Sequence, residues 1–203
     1  MINYYRFVYN SPGVGKTTLV QALAEASNNN VVRINLSDQT DLNELFGNDL
    51  PTASEENEQI FKWHDGPFLL ALKKGAWIIL DEINLASQSV LEGLNSCFDH
   101  RGEIYISELG RSFEVNKTKT KIFACQNPFK QGGGRKGLPK SFLNRFSKVY
   151  IDQMNSSDIL FILNHSYPKI DSKMIERMVI FNEYINKETC IEKKWGTKGN
   201  YKH

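Results

Sequence analysis

The apolar positions of this chain fall into two rhythms. Phe7-Val8-Tyr9, Ala76-Trp77-Ile78-Ile79-Leu80 and Ile122-Phe123-Ala124-Cys125 are continuous apolar runs, as expected of strands buried on both faces of a parallel sheet. Val31-Val32-Arg33-Ile34-Asn35 and Lys148-Val149-Tyr150-Ile151 are shorter β-branched stretches that read as further strands. Between them the spacing changes to that of helices. Leu19, Val20, Leu23 and Ala26 predict one helical face, and Ser37-Asp38 looks like the cap of a short helix through Leu42, Leu45 and Phe46. Asp65-Gly66-Pro67 should start a helix over 68–74 that Gly75 ends. Val90, Leu91, Leu94 and Phe98 place another over 87–100, and Pro139 opens one that runs to Arg145-Phe146. Strands alternating with helices predict an α/β fold around a parallel sheet.

Two stretches interrupt that alternation. Residues 47–58 are polar, with Pro51, Glu55, Glu56 and Glu58, and read as an exposed insertion followed by an edge-like Phe61-Lys62-Trp63. Residues 102–106 and 112–115 alternate on either side of Glu108-Leu109-Gly110-Arg111, which predicts a projecting β-hairpin. Beyond residue 152 the strands stop. Residues 158–164 and 172–186 read as amphipathic helices broken at Tyr167-Pro168, and from Lys187 the chain is polar and lysine-rich. The expected division is therefore an α/β core over 1–152, a helical segment over 153–186, and a poorly ordered tail over 187–203.

Composition narrows the class. The 203 residues are 40% hydrophobic with a net charge of +2, enough for one core and no advertisement of a nucleic-acid or anionic-membrane partner. Cys97, Cys125 and Cys190 are scattered without metal spacing, which fits reduced thiols in an intracellular protein. His64, His100, His165 and His203 form no ligand pair. No apolar run reaches the ~18 residues of a membrane span, and Met1 to Arg6 carry no signal segment, so a soluble, non-secreted protein is expected.

Chemistry enters at Asn10-Ser11-Pro12-Gly13-Val14-Gly15-Lys16-Thr17-Thr18, between the first apolar run and the first helical pattern. Strand, glycine loop and helix is the context of a phosphate-binding P-loop. Its backbone N–H groups close around phosphate, and the helix start adds partial positive charge. Lys16 would reach the β- and γ-phosphates of ATP, and the Thr17 hydroxyl would ligate Mg2+. Asn10 stands where the first glycine of the pattern belongs; asparagine tolerates the left-handed backbone. The glycine-rich 130–137 stretch lacks a strand-loop-helix context and reads as a flexible basic connection.

The second anchor is Asp81-Glu82, at the end of the most apolar strand, where open α/β sheets place their sites. Behind a P-loop, Asp81 would hold the Mg2+ shell and Glu82 would orient and polarise the attacking water. Asn127 ends the next buried strand; its amide could line the γ-phosphate pocket or simply form a turn before Pro128.

The order P-loop, apolar strand with Asp81-Glu82, hairpin, strand with Asn127, then Arg145 resembles an AAA+ ATPase module, with insertions similar to the dynein-related and MoxR branch. Segments 32–41, 80–95 and 131–146 are similar to the midasin family. That resemblance implies a P-loop NTPase fold of AAA+ type with a partial helical lid over 153–186. It also implies ATP hydrolysis with Asn127 sensing the γ-phosphate and Arg145 acting as an arginine finger on a neighbouring module. Midasins join such modules into a ring that releases assembly factors from pre-60S ribosomal particles in the nucleus, so those partners and that location are implied too. The chain covers about one module, opening just before the P-loop and ending before the lid helix that bears a second sensor arginine, which implies a weakly active isolated chain. Two other readings are a structural module that holds nucleotide with little turnover and a MoxR-type chaperone ATPase. Glu82 speaks for hydrolysis over the first, and the midasin-like segments speak against the second.

Overall fold

The continuous apolar runs become the inner strands of one parallel sheet. A computed structural model describes residues 5–9, 13–53, 59–99, 102–106, 109–126 and 137–188, with the backbone alone at 9, 52, 53, 59 and 60. In chain order the elements of the first unit are β1 (Tyr5–Tyr9), α1 (Lys16–Ala26), β2 (Val31–Asn35), α2 (Leu42–Phe46), β3 (Gly47–Ala53), β4 (Gln59–Asp65), α3 (Pro67–Lys74) and β5 (Trp77–Asp81). After a 3₁₀ turn at Ile83–Leu85 come α4 (Gln88–Cys97), β6 (Glu103–Ile106), β7 (Arg111–Glu114), β8 (Ile122–Gln126), α5 (Lys140–Leu143) and β9 (Ser147–Tyr150).

The sheet order is β2-β5-β8-β1-β9, with every pairing parallel. Burial follows position in that order. β5 and β8 are buried from their first residue almost to their last, whereas the edge strands β2 and β9 carry mostly exposed or half-exposed residues. Side chains alternate across the sheet. Phe7, Ile78, Leu80, Ile122 and Ala124 enter a large core with Leu45, Phe68, Leu69, Val90, Leu94 and Phe142 from α2 to α5. Val8, Trp77, Ile79, Phe123 and Cys125 enter a smaller one under Val20 and Ala24 of α1. Both faces are thus covered, which is why the central runs are apolar without interruption.

Several expectations shift. The buried stripe of α1 is Lys16, Val20 and Ala24, while Leu19 and Leu23 are 45% and 48% exposed. The P-loop sets the rotation of α1: Gly15 turns at φ 82° and brings Lys16 inward, so the stripe repeats every four residues from Lys16. The cap of α2 is Asp41, whose carboxylate accepts the Glu44 N–H at 2.8 Å, and Ser37 instead closes a turn with Thr40. The stretch after α2 is an antiparallel β3–β4 hairpin rather than a plain insertion; Glu55, Glu56 and Glu58 lie outside the described residues. Gly47 permits it, because at φ 127° a Cβ there would lie 2.2 Å from the His64 carbonyl oxygen. Asp65 ties the hairpin base to α3 by accepting from Trp63 Nε1 at 2.9 Å and from Lys73 Nζ. The helix after Ser87 stops at Cys97, and α5 is a single short turn. The expected projecting hairpin is β6–β7.

The second unit spans Gln153–His203 and holds α6 (Ser156–Ser166) and α7 (Ser172–Asn186). Asn155 opens α6 with a capping box that includes Asp158. Ile175 and Val179 of α7 are buried, whereas Phe161, Met174, Ile180 and Phe181 are exposed. Cys190 and the rest of the tail after residue 188 lie outside the described residues. Among the described residues no helix is long and apolar enough to cross a membrane.

Candidate functional site

The site forms where β1, β5 and β8 end together and α1 begins. Gly13 and Gly15 both have positive φ, 79° and 82°, a turn that a side chain would strain. They deliver the chain into α1, whose start has no side-chain cap. The dipole of that helix start favours an anion. Lys16 follows at once and is 7% exposed. Burial lowers its pKa, against the opposing pull of Cys125, Asp81 and Glu82.

Parallel pairing of β5 with β2 and β8 fixes Asp81 at the sheet edge opposite that loop. Thr17 Oγ1 donates to Asp81 Oδ2 at 3.3 Å, so the two oxygens proposed for Mg2+ meet. Asp81 Oδ1 accepts the Glu82 N–H at 3.1 Å. Glu82 itself is left-handed at φ 55°, ψ 39°, one of two described non-glycine residues with positive φ. Such a conformation costs on the order of 1–3 kcal/mol and clusters at functional sites. Gly13, Gly15, Lys16, Thr17, Thr18, Arg33, Asp81 and Glu82 line one cavity of about 360 Å3. Two other hollows of about 470 Å3 run along α6 and α7 and bring no comparable set of charges together.

Carboxylate and hydroxyl oxygens suit Mg2+, a hard cation that completes its shell with phosphate oxygens and water. Among the described residues no cluster of three or more His, Cys, Asp or Glu could hold a metal alone. The paired Thr17 hydroxyl and Asp81 carboxylate fit such a cation.

The other predicted residues divide. Val14 borders the loop and is half-buried, while Asn10, Ser11, Pro12 and Asn127 lie outside the described residues, as does the 130–136 stretch. Gln126, the residue before Asn127, ends β8 between β1 and β5. Arg145 is not among the cavity's lining residues. It follows α5, pairs through Nη1 with Asp99 Oδ1 at 3.1 Å, and leaves its buried Nε without a hydrogen-bond partner. Tyr5, Phe98, Phe142 and Phe146 form a cluster of tilted and edge-to-face rings nearby in the chain's core. There burial pushes the Tyr5 hydroxyl up to about 12, helped by Cys97 and Asp99 and opposed by Arg145.

Sequence reasoning missed Arg33. It is there only one residue of a short β-branched strand, yet its guanidinium reaches Asp81 Oδ2 from Nε at 3.1 Å and Nη2 at 2.5 Å. Its strand position pairs with Ile79, two residues before Asp81, a reach that the long side chain covers. Only the β2–β5 pairing makes that contact legible.

The profile of the AAA domain (dynein-related subfamily) matches residues 10–146. Midasin of Dictyostelium discoideum is 59% identical over 192 residues, 95% of this chain and 3% of that protein. Midasin of Giardia intestinalis is 51% identical over 165 residues, 81% of this chain and again 3% of that protein. The chain thus spans a small part of the length of these curated relatives. An uncharacterised Staphylococcus aureus protein is 27% identical over 84% of this chain and 64% of its own length. Among solved structures, a proposed ATPase from Cytophaga hutchinsonii superposes with a TM-score of 0.61 at 21% identity, over 79% of this chain and 45% of that one, a likeness of fold.

Proposed function

The chain belongs to the dynein-related subfamily of AAA domains, and from that premise we propose that it binds and hydrolyses ATP as one module of a midasin-type remodelling motor. The observation that carries this reading is the convergence of Lys16, Thr17, Asp81 and Glu82 on one cavity at the start of α1. The Gly13–Gly15 loop and the first turn of α1 bind the phosphate tail through backbone N–H groups. Lys16 neutralises the β- and γ-phosphate oxygens, and Thr17 with Asp81 would hold Mg2+. When bound, Mg2+ would offset the charge that develops on the phosphate oxygens. Glu82 orients the attacking water and accepts its proton as the terminal phosphate leaves ADP. Asn127, with Asn10, Ser11 and Pro12, belongs to this set on the family pattern.

Arg145 has a different duty. Its guanidinium is held by Asp99 and does not line the cavity of its own chain. That supports the reading of an arginine finger for an adjoining module, where such a group is worth ~10³–10⁵ in rate. Residues 153–186 would form part of the helical lid. By likeness to midasin, the motor would act in the nucleus and release assembly factors from pre-60S ribosomal particles.

The test is turnover alone and in company. The chain by itself should bind ATP·Mg2+ with turnover near background, rising when an adjoining module that carries its own finger is supplied. In that pair Arg145→Ala should damage the neighbour's site and spare this one. Robust hydrolysis by a demonstrably monomeric preparation would contradict the role given to Arg145.

A further inference from the structure

The cavity's charges come in two pairs, Lys16 and Arg33 against Asp81 and Glu82. Three of them have work in the reading above; Arg33 has none. Its guanidinium does not spread over both oxygens of Asp81. Nε at 3.1 Å and Nη2 at 2.5 Å both donate to Oδ2. That is the oxygen that also accepts from Thr17 at 3.3 Å, while Oδ1 is engaged by the Glu82 N–H at 3.1 Å. A cation held between Thr17 and Asp81 would draw on the lone pairs of the same Oδ2.

We propose that Arg33 is a tethered cation that competes with Mg2+ for Asp81, so that the Arg33–Asp81 pair must open for the metal to be held with the nucleotide. The inference rests on the reading of Thr17 and Asp81 as the Mg2+-bearing residues. A guanidinium in forked contact and a divalent ion compete for the lone pairs of one carboxylate oxygen, and two cations at one carboxylate repel each other. The pair opens by displacement of the guanidinium from the carboxylate. Room for that displacement exists: Arg33 is on the edge strand β2 with a side chain 48% exposed, whereas Asp81 is 13% exposed. The anchor is fixed and the cation swings. Arg33 thereby sets how much free Mg2+ the site demands.

The experiment measures the dissociation constant of a fluorescent ADP analogue twice, in EDTA and at saturating Mg2+. The ratio of the two constants reports how far the metal tightens nucleotide binding. Arg33→Ala and Arg33→Gln remove the competitor, and the ratio should grow about fivefold over wild type, as loss of a partly exposed ion pair predicts. Arg33→Lys, which keeps a charge without the fork, should fall between. Arg33→Gln keeps side-chain bulk on the edge strand, so the comparison stands even if the alanine variant weakens the fold. An unchanged or smaller ratio in Arg33→Gln would overturn the competition while leaving the nucleotide site intact. Failure of the wild type to bind the analogue under either condition would overturn the site reading itself, and the competition with it.

Discussion

Lys16→Met should separate function from stability at one position. Lys16 is 7% exposed, and burial is the first cause of its lowered pKa. A lysine whose folded pKa lies below its unfolded value carries a charge that folding disfavours. Nearby Asp81 and Glu82 offset that cost without cancelling it. The sign follows: the unfolded chain binds the proton more tightly, so stability rises with pH between the folded and the ordinary lysine value. Methionine keeps the length and the apolar stem and deletes the charge, so without nucleotide the variant should melt no lower than wild type. With nucleotide the order should reverse. At a free ATP concentration of about 100 Kd, wild type gains ~2.7 kcal/mol, which for a domain of this size raises Tm by about 5–11 °C. The variant loses a charge-assisted phosphate contact worth roughly 1.5–3 kcal/mol, about tenfold to a hundredfold in affinity, and with it most of that rise. Thermal unfolding with and without ATP·Mg2+ reads both effects. A variant that melts several degrees lower without ATP, or that keeps the full ATP-induced rise, would refute the assignment.

Phe68→Ala opens the centre of the larger core, where Phe68 is fully buried, and should cost roughly 3–5 kcal/mol in urea unfolding. The Lys73 ammonium holds the Asp65 carboxyl below its ordinary pKa, with help from Trp63. Its stabilising share is therefore fully present above the ordinary aspartate value and is lost as pH falls through the lowered one. Asp65→Asn should flatten that part of the acid-unfolding curve, by no more than about 1 kcal/mol for so exposed a pair. Burial pushes the Cys125 thiol up to about 12 and raises the Cys97 thiol as well. Both should resist a thiol reagent in the native protein and label only on unfolding, read by peptide mass mapping.

Much of this architecture is written locally. The runs Trp77–Asp81 and Ile122–Gln126 are apolar almost throughout because helices cover both sheet faces, and the amino-acid order alone displays that pattern. Gly66-Pro67 and Gly75 bracket α3 as the turn chemistry requires. What was illegible depended on partners far along the chain. The buried face of α1 is phased by Lys16 and not by its leucines, since the loop conformation decides the rotation. The β3–β4 hairpin is hard to read because most of its described side chains meet solvent. Arg33 matters only because β2 lies beside β5, a neighbour 48 residues away in the contact it makes. Loop and carboxylates could be found by motif; the cation between them could not.

The measurement that bears most directly on the site is Glu82→Gln, made with an adjoining module present so that turnover is well above background. Glutamine keeps the shape at the left-handed position that follows Asp81 and removes the carboxylate proposed to accept the water's proton. ATP affinity should stay within about twofold while turnover falls by about 10²–10⁴. Collapsed affinity would make Glu82 a structural or metal-holding residue, and unchanged turnover would mean that hydrolysis does not run through this cavity.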